Sequence, residues 1–209
     1  MTWPDIAATY DAVAEDYAAA FADELAGKPF DRSLLDAFAA SVPAGPVLDV
    51  GCGAAGHVTR YLADRDVHAV GLDVSAGVCA AAARLQPRLS FLVADVRSLP
   101  LADACAAGLV AFYSLIHLPR PELPAALREC RRVLAPGASM LLSFHGGVGE
   151  LTADDWFGRA VTVRATLVSA AELTSLVSSA GFEVVAQHAR APYPAEHQSD
   201  RLYLQARPS

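Results

Sequence analysis

A chain of 209 residues, 54% hydrophobic and 19% charged, is long enough to bury one substantial core, too short for two comfortable ones, and too apolar to be disordered. Its net charge of -7, with Lys28 as the sole lysine and arginines that form no stripe, argues against nucleic acid as the main partner. No apolar run approaches the roughly 20 residues that span a bilayer, so no membrane association is expected. Met1–Tyr10 lacks the charged and apolar regions of a signal peptide, and none is expected. Cys52, Cys79, Cys105 and Cys130 make no CxxC pair, so neither zinc nor a disulfide framework is expected, and a reducing cytoplasm is the expected setting.

Tyr10, Val13, Ala14, Tyr17, Phe21 and Leu25 recur at helical spacing and predict an amphipathic N-terminal helix stopped by Gly27 and Pro29. A second helix is expected from about Asp31, as N-cap, to Ala40. Both precede the first strand, and so are expected across the sheet's edge or over a ligand. From Val47 onward short apolar runs alternate with helical stretches, which predicts βαβ units and a parallel sheet. The expected strands are Val47–Val50, His68–Leu72, Leu89–Val93, Ala107–Phe112 and Ser139–Phe144, with helices beginning near Ala55, Ser75 and Pro121. Leu123, Leu127, Val133 and Leu134 supply the buried face of the third of these helices, and Pro136-Gly137 breaks the chain before the fifth strand. A last helix, Ala170 to Ala180, precedes two closing strands, Glu183–Ala189 and Arg201–Ala206. The expected fold class is α/β: a doubly wound, mostly parallel seven-stranded sheet with a C-terminal antiparallel hairpin and helices on both faces. One domain over 1–209 is expected, divided into a helical cap (1–45), a core (46–145), an insertion (146–168) and a closing segment (169–209).

Val47–Gly56 reads as a strand, a glycine-rich turn and a helix start. Its glycines let the backbone turn tightly and approach a ligand, and alone they would also fit a dinucleotide. Asp49, two residues before Gly51, would repel a pyrophosphate but suits a cationic amino-acid end. Asp73 sits at the tip of the second strand, where such a carboxylate bonds ribose hydroxyls, and Asp95 follows the third strand, placed to receive an adenine amino group. Singly, each acid reads equally well as a loop carboxylate or a helix N-cap. Together they converge on one switch point of the sheet.

On Val47–Gly56, Gly71–Ser75, Val93–Pro100, Arg131–Gly137 and Ala180–Val184, the sequence resembles the class I S-adenosylmethionine-dependent methyltransferases, especially their small-molecule branch. The resemblance implies S-adenosyl-L-methionine as cofactor and a Rossmann-like methyltransferase fold. It implies that Asp49, Gly51 and Gly53, beside Cys52, hold the methionine moiety. It further assigns Asp73 with Val74 to the ribose and Ala94, Asp95 and Val96 to the adenine. Tyr10 and Tyr17 fall where the family's N-terminal helix closes over the cofactor, although packing of an amphipathic helix explains them as well, and Tyr113 follows the fourth strand.

Methyl transfer asks the protein mainly for alignment and needs a base only where the nucleophile must lose a proton. Phe112–Leu118 lacks an Asn-Pro-Pro-Tyr motif and acidic metal ligands, so nucleic-acid amino methylation and magnesium dependence are not expected. His117 is the first candidate base, since its ordinary pKa of about 6.5 suits the task, and His145 is the second. A packed core histidine and a loop edge are the plain alternatives. Trp156, Phe157 and Arg164 would form an apolar wall with one charged anchor, or Val161–Leu167 alternates as a half-exposed strand with Arg164 solvated. Tyr193, and more weakly Glu196 and His197, complete the substrate candidates. The expected partner is a small-molecule methyl acceptor; the sequence leaves oligomeric state open. A protein that binds the cofactor without methyl transfer, as a cyclase-like catalyst or binding module, is the alternative. A nicotinamide oxidoreductase explains neither Asp49 nor Asp95.

Overall fold

In the computed structural model, which describes residues 5–194 and 196–209, strand and helix alternate from Val47 onward. The first four residues of the stretch read for a signal peptide lie outside the described residues. Strands β1 (Val47–Val50), β2 (Ala69–Asp73), β3 (Ser90–Val93), β4 (Ala106–Phe112) and β5 (Leu134–Gly146) run parallel. A separate antiparallel pair, β6 (Glu150–Ala153) and β7 (Val163–Thr166), is inserted before β8 (Phe182–Arg190) and β9 (Asp200–Pro208). The last two close the main sheet antiparallel, in the order β3-β2-β1-β4-β5-β9-β8. The helices are α1 (Ile6–Phe21), α2 (Pro29–Ser41), α3 (His57–Ala63), α4 (Ala76–Leu85), α5 (Leu123–Val133) and α6 (Ala170–Ser179).

The central strands are apolar on both faces because helices cover both, and the period of two sorts their side chains. Leu48, Leu109, Met140, Leu142, Leu202 and Leu204 face α5 and α6. The intervening Val47, Val110, Leu141 and Tyr203 face α2 and α3. On α5, Leu123, Ala126, Leu127, Cys130 and Val133 are buried, the stripe expected of an amphipathic helix on a sheet.

Several sequence expectations shift. α1 ends at Phe21, and Leu25 belongs to a short 3-10 turn, Glu24–Gly27, because α1 packs on α4 while Leu25 joins the α2–α3 side of the core. α2 begins at Pro29 with Lys28 at the cap, so Asp31 is no N-cap. α2 also covers the middle of the sheet through Leu34, Leu35 and Phe38 and does not lie at its edge, whereas α1 lies over the cavity described below. α3 starts at His57, and α5 at Leu123 after a 3-10 turn, Arg120–Glu122. Leu134 is no longer helix but opens β5, which runs on through Pro136-Gly137; a register shift against β4 absorbs the pair.

Asp31 ties the N-terminal helices to the closing hairpin. Fully buried in the first turn of α2, it accepts hydrogen bonds from the Tyr203 hydroxyl and from Arg190 Nη2, both at 2.9 Å, and from the Tyr113 hydroxyl at 3.3 Å. Truncating Asp31 leaves the buried Tyr203 phenol without its acceptor and takes from Arg190 one of its two carboxylate partners, Glu196 being the other. Asp31→Ala is therefore expected to lower the unfolding free energy by about 3–5 kcal/mol in urea titrations, and Asp31→Asn by less.

Candidate cofactor and acceptor site

The loops after β1 and β4 meet where the strand order reverses, the place at which open α/β sheets bind ligands. Gly51 has φ +72, and a Cβ there would lie 2.1 Å from Ser114 Cβ; Ser114 in turn donates from Oγ to the Val50 carbonyl at 2.6 Å. Gly53, at φ +66, leaves room for the Tyr17 ring, which a Cβ would meet at 3.1 Å. Tyr113, a non-glycine residue at φ +51, sits in the left-handed region, a conformation that costs on the order of 1–3 kcal/mol. Its hydroxyl bond to Tyr203 (2.8 Å) and its amide donation to Ser143 Oγ (2.9 Å) hold it there.

Above these loops lies a cavity of about 1140 Å³. Asp49, Asp73 and Asp95 all reach its wall, as do Cys52, Val74, Ala94 and Val96. Asp49 is buried; burial pushes its carboxyl up to about 6, only partly offset by the Thr59 hydroxyl that donates to it at 2.6 Å. Burial likewise raises Asp73 to about 6, against the amides of Ser75 (3.0 Å) and Gly53 (3.2 Å) that donate to its two oxygens. Among the described residues neither carboxylate forms an ion pair. Asp95 differs. Arg97 donates to both its oxygens and holds it below the usual carboxylate range, while also bonding Glu122 at 2.8 Å.

The roof is α1 and the β6–β7 hairpin. Asp11 Oδ1 accepts from Ser75 Oγ and from the Gly77 amide (2.8 Å), so α1 caps the start of α4 directly after Asp73. At the hairpin tip Trp156 and Arg159 exchange backbone bonds around Phe157 and Gly158, both at positive φ. Trp156 packs edge-on against Tyr10 (5.3 Å) and Tyr17 (5.5 Å) and stacks on Phe157 (5.2 Å). Arg159 bonds Asp16 of α1 at 2.9 Å, and Thr9 donates to the Thr162 carbonyl at 3.3 Å.

Of the residues singled out in the sequence, Tyr10, Tyr17, Tyr113, His117, His145, Trp156 and Tyr193 line the cavity. Phe157 and Arg164 do not line it. Phe157 braces the roof against Tyr17 and Phe21, and Arg164 is buried on β7, neither a cavity anchor nor solvated, with Glu150 Oε2 at 3.8 Å. His117 has both ring nitrogens engaged: Nδ1 with the Arg164 carbonyl at 2.7 Å and Nε2 with the Tyr10 hydroxyl at 2.8 Å. Burial lowers its pKa, opposed by that carbonyl. Burial and then the nearby Arg201 guanidinium push His145 down to about 3, too weak a base for proton removal at neutral pH. Glu196 accepts from Arg190 (2.6 Å) and pairs with Lys28 (3.2 Å); His197 stands beside them on the wall.

Sequence reasoning missed a polar row on α2's approach and α3. Lys28 bonds Glu24 at 2.6 Å, and Glu24 faces His57 Nε2 at 3.3 Å. Burial would raise the Glu24 carboxyl, but hydrogen bonds from His57 and Lys28 outweigh it and hold the group at about 2. The lone lysine, directly before the first residue of α2, was the available signal. Ser114 and Arg201 carried none.

A doubly wound sheet with a glycine turn and unpaired acids at its switch point defines a protein for ligands that pair an adenosyl unit with positive charge. Residues 47–137 match the model of a methyltransferase domain, and over that stretch the chain is similar to S-adenosylmethionine-dependent methyltransferases. It is 36% identical over 118 residues to a malonyl-acyl-carrier-protein O-methyltransferase of Serratia marcescens, covering 56% of this chain and 45% of that protein. The chain spans about half the length of the curated relatives it matches. Among solved structures, an S-adenosylmethionine-dependent methyltransferase of Methanosarcina mazei superposes with TM-score 0.72 at 20% identity, over 81% of this chain and 95% of that one. The (4+2) cyclase SpnF superposes with TM-score 0.69 at 20% identity, over 100% and 99%. At that identity the two structures speak to the fold, which they share with this chain.

The raised Asp49 pKa has a sign that can be checked. A carboxyl that ionises at about 6 when folded, against 3.8 ordinarily, contributes stability that is whole below pH of about 4 and is lost as pH rises through about 6. Asp49→Asn is therefore expected to stabilise the ligand-free protein at neutral pH by on the order of 2 kcal/mol and to change little near pH 4, as read by urea unfolding at both.

Proposed function

We propose that this chain binds S-adenosylmethionine at the switch point and transfers its methyl group to a small molecule. The observation that carries the reading is the pair Asp49 and Asp73. Two carboxylates set into the wall without a cationic side chain fit a ligand bearing a sulfonium and an ammonium, and repel a pyrophosphate. In this reading Asp49 takes the ammonium, with the backbone turn at Gly51–Gly53 against the methionine end. Asp73 takes the ribose hydroxyls, Val74 packs beside it, and Ala94 and Val96 bracket the adenine. Asp95 keeps lone pairs for the adenine amino group while Arg97 holds it in place. The cofactor supplies an activated methyl and its own leaving group, and the protein supplies orientation in a cavity roofed by α1 and the hairpin.

A small acceptor is favoured by the closure. The cavity is roofed by Tyr10, Tyr17 and Trp156, its volume exceeds the usual range for a single ligand of roughly 300–1,000 Å³, and the chain is acidic. Among the described residues no helix is long and apolar enough to cross a membrane, and a cytoplasmic setting suits the free cysteines. The full-length likeness to a cyclase supports the second reading, in which cofactor is bound but not consumed. The two part on stoichiometry: one S-adenosylhomocysteine per product in the first, none in the second.

Calorimetric titration tests the cofactor. S-adenosylmethionine and S-adenosylhomocysteine are expected to bind and NADH is not, and Asp73→Ala is expected to weaken both adenosyl ligands by roughly tenfold or more. Binding of NADH alone would sink the proposal.

A further inference from the structure

We infer that Tyr10, backed by His117, is the group that takes the proton from a hydroxyl acceptor, which makes this chain an O-methylating enzyme for weakly acidic alcohols or phenols. The inference deepens the proposed function and rests on it.

The chemistry follows from which atoms can donate. A backbone carbonyl only accepts, so the 2.7 Å contact between His117 Nδ1 and the Arg164 carbonyl puts a hydrogen on Nδ1. In the neutral ring Nε2 is then a bare acceptor, and the Tyr10 hydroxyl 2.8 Å away must donate to it. The phenol oxygen is left with lone pairs, and Tyr10 lines the cavity. His117 cannot reach an acceptor without giving up Tyr10, since both its nitrogens are engaged. Tyr10 is braced from the sides by Trp156 (5.3 Å) and Tyr17 (5.7 Å), both edge-on. The cavity lining also includes the apolar Ile6, Ile116, Leu118, Leu151 and Val163, which offer an acceptor hydrocarbon surface besides the phenol and imidazole. That pattern suits an apolar molecule presenting one hydroxyl.

The step balances. The acceptor oxygen forms its bond to the methyl carbon as the carbon–sulfur bond breaks and sulfur keeps that electron pair. The acceptor's proton passes to Tyr10 Oη while the Tyr10 proton passes to His117 Nε2, and the imidazolium formed is held through Nδ1–H by the Arg164 carbonyl. One positive charge is present before and after, first on the cofactor and then on the ring, so the cavity's net charge does not change. Tyr10 never has to exist as a phenolate, which its burial and the nearby Asp73 and Glu24 strongly disfavour. The charged and titratable groups bearing on the pair are Asp73, Glu24 and Tyr17 at Tyr10, and His145 at His117, whose own low pKa keeps it neutral.

The test has two parts. In the full-length protein saturated with S-adenosylhomocysteine, nitrogen-15 NMR is expected to show His117 protonated on Nδ1 alone at neutral pH, with its Nε2 resonance displaced by Tyr10→Phe. A ring protonated on Nε2, or one indifferent to Tyr10→Phe, overturns the relay before any acceptor is in hand. S-adenosylhomocysteine formation is then measured with simple phenols, with electron-poor phenols already ionised at the assay pH, and with amines. Tyr10→Phe and His117→Gln are expected to cut kcat on simple phenols by on the order of 10²-fold or more while sparing ionised phenols and leaving S-adenosylhomocysteine affinity unchanged. Equal loss on both classes of phenol would show a structural role and overturn the inference. A wild-type protein that binds no adenosyl ligand would instead sink the proposed function, and turnover of amines alone would leave that function standing and remove Tyr10 from the chemistry.

Discussion

The approach of two loops sets the site. Gly51 turns with positive φ so close to Ser114 that a methyl group would collide, and Ser114 answers by bonding the Val50 carbonyl. The ends of β1 and β4 are thereby fixed relative to each other, and every wall of the cavity is registered from that junction. Tyr113 follows in strained backbone, held by Asp31 and Tyr203, so strain next to the cavity is sustained by a buried network on the α2 side of the sheet. The same network fastens the closing hairpin through Arg190. Stability and site geometry are thus drawn from one set of bonds.

At Asp49 and Asp73 the electrostatics runs opposite to the usual pairing of buried charge. Other acids, on the cavity wall and away from it, meet arginines: Asp31 with Arg190, Asp95 with Arg97, Glu129 with Arg132. Asp49 and Asp73 meet a hydroxyl and backbone amides instead, and their carboxyls rise. A protein that keeps such groups at neutral pH holds free energy that a cationic ligand releases on binding. Lys28 cannot fill that role, because Glu24 and Glu196 engage it on the other side of the cavity.

Much of this was legible in the sequence, for reasons that differ by element. The parallel strands carry near-continuous apolar runs because both faces are covered, and β1, β2 and β4 fall within a residue of their expected spans. The glycine turn and the three acids are local in sequence, and the structure brings all of them to one wall. Long-range partners were not legible. Asp31 reads as a helix cap until Arg190, far along the chain, is seen bonded to it. Arg97 carried no signal of its own in the sequence, yet it bonds both oxygens of Asp95. The place of α2 on the sheet's face required knowing which side of the sheet α3, α5 and α6 had taken. The insertion was expected to form a substrate wall; Trp156 lines the cavity, whereas Phe157, in left-handed backbone at the hairpin tip, packs behind it on Tyr17 and Phe21, and Arg164 is buried on β7.

The residue that fixes the His117 ring does so with its peptide carbonyl, while its side chain packs elsewhere on β7. The oxygen belongs to the backbone of β7, and the side chain at position 164 does not enter the bond. Comparison of sequences reads side chains and does not register this contact. What evolution must keep instead is the path of the strand, and the burden of that falls on neighbours such as Thr166, whose hydroxyl bonds the Leu118 carbonyl at 2.7 Å and holds β7 against the segment bearing the ring.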